Sequence, residues 1–448
     1  MLGGRRVRNQ LISILAAVVL TIGLIAPPAG AQQTDPSVIL FLEAYRVLRD
    51  EALAQPTPET LVRGAEAGLR TVLRDEGQNP AQLPALQLTG DERTDLALIL
   101  NHIEQVQAIA RARPVSVIHG AVAGMVAALR DQNSVFYTPD AFAQFNRTFG
   151  REEFVGIGIV LEDRGGHPTI TNVLENSPAS ESGLRAGDII LTVDGTSTTG
   201  MSLDQVSQMI RGAEGTTVTL GLQRQGQAEP VTVTLTRRRI TQRVVTTRLL
   251  PSGIGYLRLT QFSPRSDELV AQGLQALIEQ GAKGLVLDLR GNLGGLLDAS
   301  VNIASHFLER GVVVTLESGR GASTTYVVRP RTPKFTGPLV VLVDRGSASA
   351  SEVVAGALQD AGIKLVGTRT YGKATVQAIY SFRDGSGMRV TISRYLTPAG
   401  RDIDGRGLTP DVEVSTTGVP LGSPDDAPLN RAVSLLQQAA LAPARTAP

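Results

Sequence analysis

The chain has 448 residues, 42% hydrophobic and 4% aromatic, with 43 basic against 42 acidic side chains, 47 glycines, 24 prolines and no cysteine. At roughly 100–200 residues per domain that length implies two to four domains with cores of their own, and glycine plus proline stays below the roughly 25–30% typical of low-complexity chains. Thiol nucleophiles, disulfide scaffolds and thiolate zinc sites are excluded. The four histidines (His102, His119, His167, His306) are too dispersed for a local metal cluster, and a net charge of +1 offers no broad field to nucleic acid or an anionic membrane.

Arg5, Arg6 and Arg8 precede an uncharged apolar stretch from Leu11 to Ala26, then Pro27, Pro28 and the small triplet Ala29-Gly30-Ala31. This is the three-part order of a secretory signal, 1–31, with cleavage expected after Ala31. A retained membrane anchor is the alternative, although the run is shorter than the ~20 residues that span a bilayer. No cysteine follows, which excludes lipid attachment at a new N-terminal cysteine. The mature chain is therefore expected in the periplasm, cell envelope or extracellular space, touching a membrane only if the signal is kept as an anchor.

Residues 32–150 carry helical spacing: Phe41, Tyr45 and Leu48, then Leu61, Ala65 and Leu69 after the start signal Thr57-Pro58, then Ile118, Val122, Met125 and Leu129. Nothing there is chemical, so a packed scaffold or a homo-oligomer surface is expected. Between 151 and 240 the period shifts toward two, with strands predicted over 157–161, 189–193 and 231–235 and a helix over 203–210. Over 241–415, to which part of 110–150 is added, strands at 284–289, 312–316, 339–343 and 364–366 alternate with helices at 296–308 and 349–361, which argues for an α/β layer fold. The final segment, 416–448, reads as peripheral, with one helical run at 429–441.

Chemistry concentrates in the second and third regions. Gly156-Ile157-Gly158-Ile159 opens the small domain just before a strand. Two glycines around one apolar residue let successive N–H groups face one side as a nest for a carboxylate, and the strand beside it can accept an added peptide strand. Together with Gly183-Leu184-Arg185-Ala186-Gly187-Asp188 and the following Ile190-Leu191-Thr192-Val193-Asp194-Gly195, the stretch resembles a PDZ domain.

Farther along, Asp288-Leu289-Arg290-Gly291-Asn292-Leu293-Gly294-Gly295 sets a glycine loop at the C-terminal end of a buried strand, where open N–H groups can meet a developing negative charge. A plain strand-to-helix turn explains that loop equally well. Leu293 stands where a trypsin-like nucleophile loop would carry serine, and no suitable histidine lies upstream, so a Ser-His-Asp triad fails on residue type. Gly346-Ser347-Ala348-Ser349-Ala350-Ser351-Glu352 joins a buried strand to a helix. Ser349-x-x-Glu352 is both a capping box and a serine on a sharp corner, and position alone does not separate the two. Thr370-Tyr371-Gly372-Lys373-Ala374-Thr375-Val376-Gln377 tips the balance. On a period-two strand Lys373, Thr375 and Gln377 share a face, and a desolvated lysine beside a serine hydroxyl is a general base.

From about Val117 to Val414 the chain resembles the carboxyl-terminal processing (tail-specific) serine proteases. The resemblance rests on residues 346–352, Tyr371-Gly372-Lys373 with Gln377, Asp288-Leu289-Arg290 with Gly294-Gly295, and Tyr395-Leu396-Thr397-Pro398-Ala399-Gly400. It implies an α/β, more broadly α+β multidomain, chain: a crotonase-like catalytic domain with an inserted PDZ domain and an N-terminal helical region. It also implies Ser349 as nucleophile, Lys373 as base, Gln377 orienting the lysine, and N–H groups of Ala350 and the Gly294-Gly295 loop as oxyanion hole. Asp360 matches an aspartate sometimes placed in such sites. Departures from the pattern are Ala374 for glycine, Gly291 and Leu293 for Asn and Pro, and a turn before Lys373 about one residue shorter. The implied activity is endopeptidase cleavage of proteins or peptides with apolar C-termini, with no metal and no organic cofactor. A non-catalytic PDZ scaffold and a crotonase-like acyl-transfer enzyme are the alternatives.

Overall fold

The computed structural model describes residues 36–148, 153–174, 176–201, 203–224, 226–227, 229–241, 243–415 and 421–441, so the expected signal lies outside the described residues. Among the described residues no helix is long and apolar enough to cross a membrane.

The first region is built from helices Pro36–Glu51, Pro58–Asp75, Glu92–Ala110 and Pro114–Ala128. Thr57 and Asp91 cap two of them, accepting the amides of Thr60 and Thr94, and proline occupies the first turn after Thr57, where its missing N–H costs nothing. Helices Pro58–Asp75 and Pro114–Ala128 touch backbone to backbone through glycines. A Cβ on Gly68 would stand 2.1 Å from the Gly120 carbonyl oxygen, and one on Gly124 would stand 2.2 Å from that of Gly64. Gly68→Ala is therefore expected to push the pair apart and cost about 1–3 kcal/mol, as overpacking does. Thermal unfolding of the mature protein checks this: the variant should melt lower, and an unchanged transition would contradict the packing.

This region does not stand alone. Its core takes in Phe382, Met388 and Val390 from a hairpin far along the chain. The connection after the fourth helix is not helical either. Val135–Tyr137 is a strand, antiparallel to Gly387–Leu396 with Val135 opposite Arg389, so the helical pattern expected over 32–150 breaks there and this part of 110–150 joins a sheet of the later region.

The heart of the molecule is a six-stranded sheet in the order Val245–Leu249, Ile254–Leu259, Gly284–Asp288, Leu339–Val343, Lys364–Gly367, Val412–Glu413; the first pair is antiparallel and the others parallel. Every residue of Gly284–Asp288 is buried, as a parallel strand covered on both faces requires. One face, through Leu257, Leu285, Leu287, Val341, Val343 and Leu365, packs beneath helices Ser266–Glu279, Leu297–Ala304 and Ala350–Asp360. The alternate residues Tyr256, Val286, Val340, Leu342 and Val366 meet Leu429, Ala432 and Leu436 of helix Ala427–Leu441. The final segment thus covers the second face of the sheet, and its reading as peripheral is corrected.

A five-stranded antiparallel sheet lies alongside. It runs Val135–Tyr137, Gly387–Leu396, Val312–Ser318, Ser323–Val327, with Thr375–Ser381 also paired to Gly387–Leu396. Strand Val312–Ser318, expected within the α/β layer, belongs here instead. Its apolar spacing carries no information about which partner it finds.

The small β-rich unit is entered and left through an antiparallel ribbon, Glu153–Gly156 against Arg238–Thr241. Its sheet runs Ile159–Asp163, Pro168–Val173, Ile189–Val193, Thr217–Gln223, Val231–Thr236, with helix Leu203–Ile210 supplying Val206 and Ile210 to the core. The first strand begins two residues later than the spacing predicts, because Ile157 and Gly158 turn out of the sheet.

Candidate active site

Strand Leu339–Val343 ends in a turn held from beneath. Half-buried Asp344 accepts the amides of Gly291 and Gly346, each at 2.9 Å, and Ser347 Oγ donates to the Leu289 carbonyl at 2.8 Å. Ala348 N–H and Ser351 Oγ both donate to the Asn292 carbonyl, at 3.0 and 2.7 Å. The serine turn and the glycine loop are therefore one hydrogen-bonded body.

Ser349 sits at its apex with φ 54° and ψ −116°. Cap residues that bond through their side chains are extended here, such as Ser177 at φ −106° and ψ 160°, whose hydroxyl accepts the Ser180 amide. A non-glycine residue held in such a region stores roughly 1–3 kcal/mol and persists only where its surroundings enforce it. That distinction, invisible in the Ser-x-x-Glu spacing, separates Ser349 from a plain helix cap.

Gly294 and Gly295 flank the serine. With φ at 103°, Gly294 packs so closely that an added Cβ would lie 2.8 Å from Ser349 Cβ and 2.9 Å from the Ala350 nitrogen. Gly295 has φ 141°, and a Cβ there would come within 2.2 Å of the Phe262 carbonyl oxygen. The Gly294 amide is already engaged, donating to Asn292 Oδ1 at 2.9 Å, while buried Asn292 is itself fixed by Nδ2 donating to the Leu259 carbonyl at 3.0 Å. The amides of Gly295 and Ala350 have no hydrogen-bond partner among the described residues. Of the expected oxyanion donors, Ala350 and Gly295 are thus open, and Gly294 shapes the space beside the serine.

Two residues absent from the expected site join the serine to the lysine loop. The buried Glu352 carboxylate accepts Ser349 N–H at 3.0 Å and Lys373 N–H at 2.9 Å on one oxygen, and Thr370 Oγ1–H at 2.6 Å and Gly372 N–H at 2.7 Å on the other. Burial pushes its pKa up against the pull of these donors. Tyr395 Oη lies 3.0 Å from the Ser349 carbonyl and 2.7 Å from that of Lys373, and its burial keeps the phenol protonated as a donor. Glu352 was legible only as a cap and Tyr395 only as part of a motif, because, apart from Ser349 beside Glu352, their partners lie 18–46 positions away in the chain.

Lys373 lies in the loop ahead of strand Thr375–Ser381, not on it, so the shared-face argument does not reach it. The side chain is half-buried and Nζ has no partner among the described residues. Burial lowers its pKa, Arg389 lowers it further, and Asp131 and Glu352 act in the opposite sense. Thr375 and Gln377 do meet: Gln377 Nε2 donates to Thr375 Oγ1 at 3.0 Å and to Thr391 Oγ1 at 3.2 Å. Asp360 ends the helix that Ser349 begins, about 16 Å away at 1.5 Å per residue. There it accepts the Ala399 amide at 2.8 Å and pairs with Arg401 at 2.6 Å, which pins a remote turn.

The Asp288-Leu289-Arg290 stretch anchors the base of the glycine loop. Arg290, fully buried, pairs with Asp288 at 2.6 Å and Asp426 at 2.7 Å, and Tyr256 Oη donates to Asp288 at 2.7 Å. Removing one partner of such a pair typically costs about 3–5 kcal/mol, so the last helix, which begins just after Asp426, is tied to the site as firmly as to the sheet.

In the small unit Gly158 adopts φ 83°, and a Cβ there would strike Ser177 Cβ at 2.2 Å. The amides of Ile157 and Gly158 have no partner among the described residues, while the Ile157 and Gly158 carbonyls accept from Ala179 at 2.8 Å and Leu174 at 2.9 Å. Strand Ile159–Asp163, which follows, is the edge of its sheet. A fixed loop with open amides beside an open edge has the geometry to receive a chain terminus.

Residues 253–414 match the model of peptidase family S41 and residues 169–224 that of a PDZ domain. The chain is 37% identical over 319 residues to the chloroplastic C-terminal processing peptidase of Tetradesmus obliquus, covering 67% of this chain and 69% of that protein. It is 36% identical over 325 residues to the carboxyl-terminal-processing protease of Synechocystis sp., covering 70% and 76% respectively. Among solved structures, the photosystem II D1 C-terminal processing protease superposes with a TM-score of 0.67 at 30% identity, over 90% of this chain and 97% of that one.

Proposed function

The chain belongs to the carboxyl-terminal processing serine peptidases of family S41, and from that premise we propose that Ser349 and Lys373 are its catalytic dyad, fed by the PDZ nest at Gly156, Ile157, Gly158 and Ile159. The observation that carries the reading is the clamp: Glu352 and Tyr395 bind the strained Ser349 turn and the Lys373 loop to each other.

The substrate is an unstructured protein tail with an apolar C-terminus. Its carboxylate is received by the Ile157 and Gly158 amides, and its last residues add to strand Ile159–Asp163. Lys373, whose pKa burial lowers, takes the hydroxyl proton in its neutral form as Ser349 Oγ attacks a carbonyl upstream. The oxyanion is held by Ala350 and Gly295, whose amides are open. Lys373 then passes its proton to the leaving amine, and water hydrolyses the acyl-enzyme. Gln377 orients the lysine. The leader ending at Ala31 is assigned to export, which places this chemistry outside the cytoplasmic membrane.

The test is a pair of peptides identical except for their last group. The free acid is expected to be cleaved with a KM about 10-fold or more below that of the C-terminal amide, at similar kcat, because the amide forfeits a charge-assisted contact. Chromatographic rates give both constants, and equal KM values would remove the nest from the mechanism.

A further inference from the structure

Strand Thr375–Ser381 begins two residues beyond Lys373 and is paired on one side only, to Gly387–Leu396. The direction of its backbone groups follows from the bonds at its two ends. The Ala374 carbonyl accepts the Tyr395 amide at 2.8 Å, and the Phe382 amide donates to the Ser386 carbonyl at 2.9 Å. At the one register shift Val376 and Gln377 stand opposite Ser393 and Thr391, so the extra residue lies on the partner strand and the alternation along Thr375–Ser381 is unbroken. Even-numbered residues therefore bond inward, while Thr375, Gln377, Ile379 and Ser381 turn N–H and C=O outward. None of these outward groups has a hydrogen-bond partner among the described residues.

An open edge invites another strand, and proteins ordinarily blunt one with charge, proline or a bulge. The run Thr375-Val376-Gln377-Ala378-Ile379-Tyr380-Ser381 has no charge and no proline, its bulge belongs to the partner, and Ile379 is exposed. The edge is also held rigid. Phe382, Met388 and Val390 of the same hairpin are buried in the core of the N-terminal region, Asp384 at its tip pairs with His119 at 2.7 Å, and the Thr391 amide donates to Ser134 Oγ at 3.0 Å. A chain added here meets a preformed template, which lowers the ordering cost of binding.

We propose that this edge is a second substrate-binding strand, within the catalytic unit and separate from Ile159–Asp163: an extended segment of the substrate polypeptide adds to Thr375–Ser381 through main-chain hydrogen bonds. At ~3.3 Å per residue the strand spans about 20 Å and holds about seven substrate residues on one flank of the scissile bond. The occupant is the substrate because the edge leads into the Lys373 loop, which Glu352 and Tyr395 clamp to the Ser349 turn, so a strand seated on it continues to the serine. Main-chain pairing reads an extended backbone rather than particular side chains, which suits a range of unstructured tails. The proposal rests on the reading of Ser349 and Lys373 as the dyad.

The test scans long peptides of one scissile sequence, with a single N-methyl group moved residue by residue along both flanks, against the full mature protein. On one flank, next to the scissile bond, kcat/KM is expected to fall about 5-fold or more at every second residue and little between, because N–H and C=O of alternate residues face the edge. Ile379→Pro deletes one outward N–H without breaking the ladder; it should raise KM for the long peptide about 5-fold or more at nearly unchanged kcat, and leave a short peptide that does not reach position 379 unaffected. In Ile379→Pro the N-methyl penalty at the substrate residue facing position 379 should vanish, which a loss at Ile159–Asp163 would not do. Ile379→Thr, which keeps the N–H, should match wild type. Losses without alternation, or equal KM for Ile379→Pro and wild type on the long peptide, overturn the proposal and leave the dyad standing. A concentration-dependent dimer that Ile379→Pro dissolves, with KM unmoved, overturns it too and gives the edge to a second copy. If Ile379→Pro does not fold, the scan on the wild-type protein decides. Wild-type turnover in Ser349→Ala would instead overturn the dyad, and with it the destination of the added strand.

Discussion

Lys373→Ala is expected to lower kcat for an unstructured peptide by about 10⁴-fold or more, with KM little changed, because the nucleophile loses the only group proposed to take its proton. Lys373→Arg should fare no better, since a guanidinium does not release its proton in the working range. The position explains the sensitivity. The amine sits half-buried, burial and Arg389 both favour the neutral form, and the loop is tied to Glu352 through the Lys373 amide. For the wild-type enzyme the same shift has a sign. As pH rises the ammonium deprotonates and activity rises, and because the pKa is lowered this acid limb falls below the range of an ordinary exposed lysine. Initial rates across pH measure it. A limb at or above the ordinary lysine range would contradict a desolvated base.

Glu352→Gln is expected to lower kcat at least about 100-fold and to destabilise the fold by about 2–5 kcal/mol. The carboxylate faces donors on both oxygens: the Ser349 and Lys373 amides on one, the Thr370 hydroxyl and the Gly372 amide on the other. An amide side chain can satisfy only one of these pairs, and its NH₂ must then confront N–H donors at the other. Either orientation loosens the serine turn or the lysine loop. Rates together with chemical denaturation separate the two consequences. Unchanged kcat in a folded Glu352→Gln protein would mean that the clamp does not govern the alignment of serine and lysine.

What the amino-acid order discloses is local. Strands Leu339–Val343 and Ile189–Val193 and helix Leu203–Ile210 are found where apolar spacing places them. The second helix of the α/β region is shorter than its apolar run, Leu297–Ala304, because Phe307 and Leu308 are buried from a turn rather than from another helical turn. Long-range partners leave no such trace. The pairing of Val312–Ser318 with Gly387–Leu396 and the seating of Leu429 and Leu436 against Val286 and Val340 depend on which surfaces meet after collapse. In the site, residue types at Ser349, Lys373 and the glycine loop were readable as chemistry. Glu352 was readable only as a cap because three of its donors come from Thr370, Gly372 and Lys373, on a loop that packs against it only in the folded chain.

The central claim is that Ser349 and Lys373 act as one unit, and a double-mutant cycle reads it directly. Ser349→Ala, Lys373→Ala and the combined variant, purified in folded form and assayed on one peptide, should all fall to the same residual rate, since removing either member removes the whole step. Losses that multiply in the double variant, or either single variant retaining wild-type turnover, would contradict a serine–lysine dyad at this site.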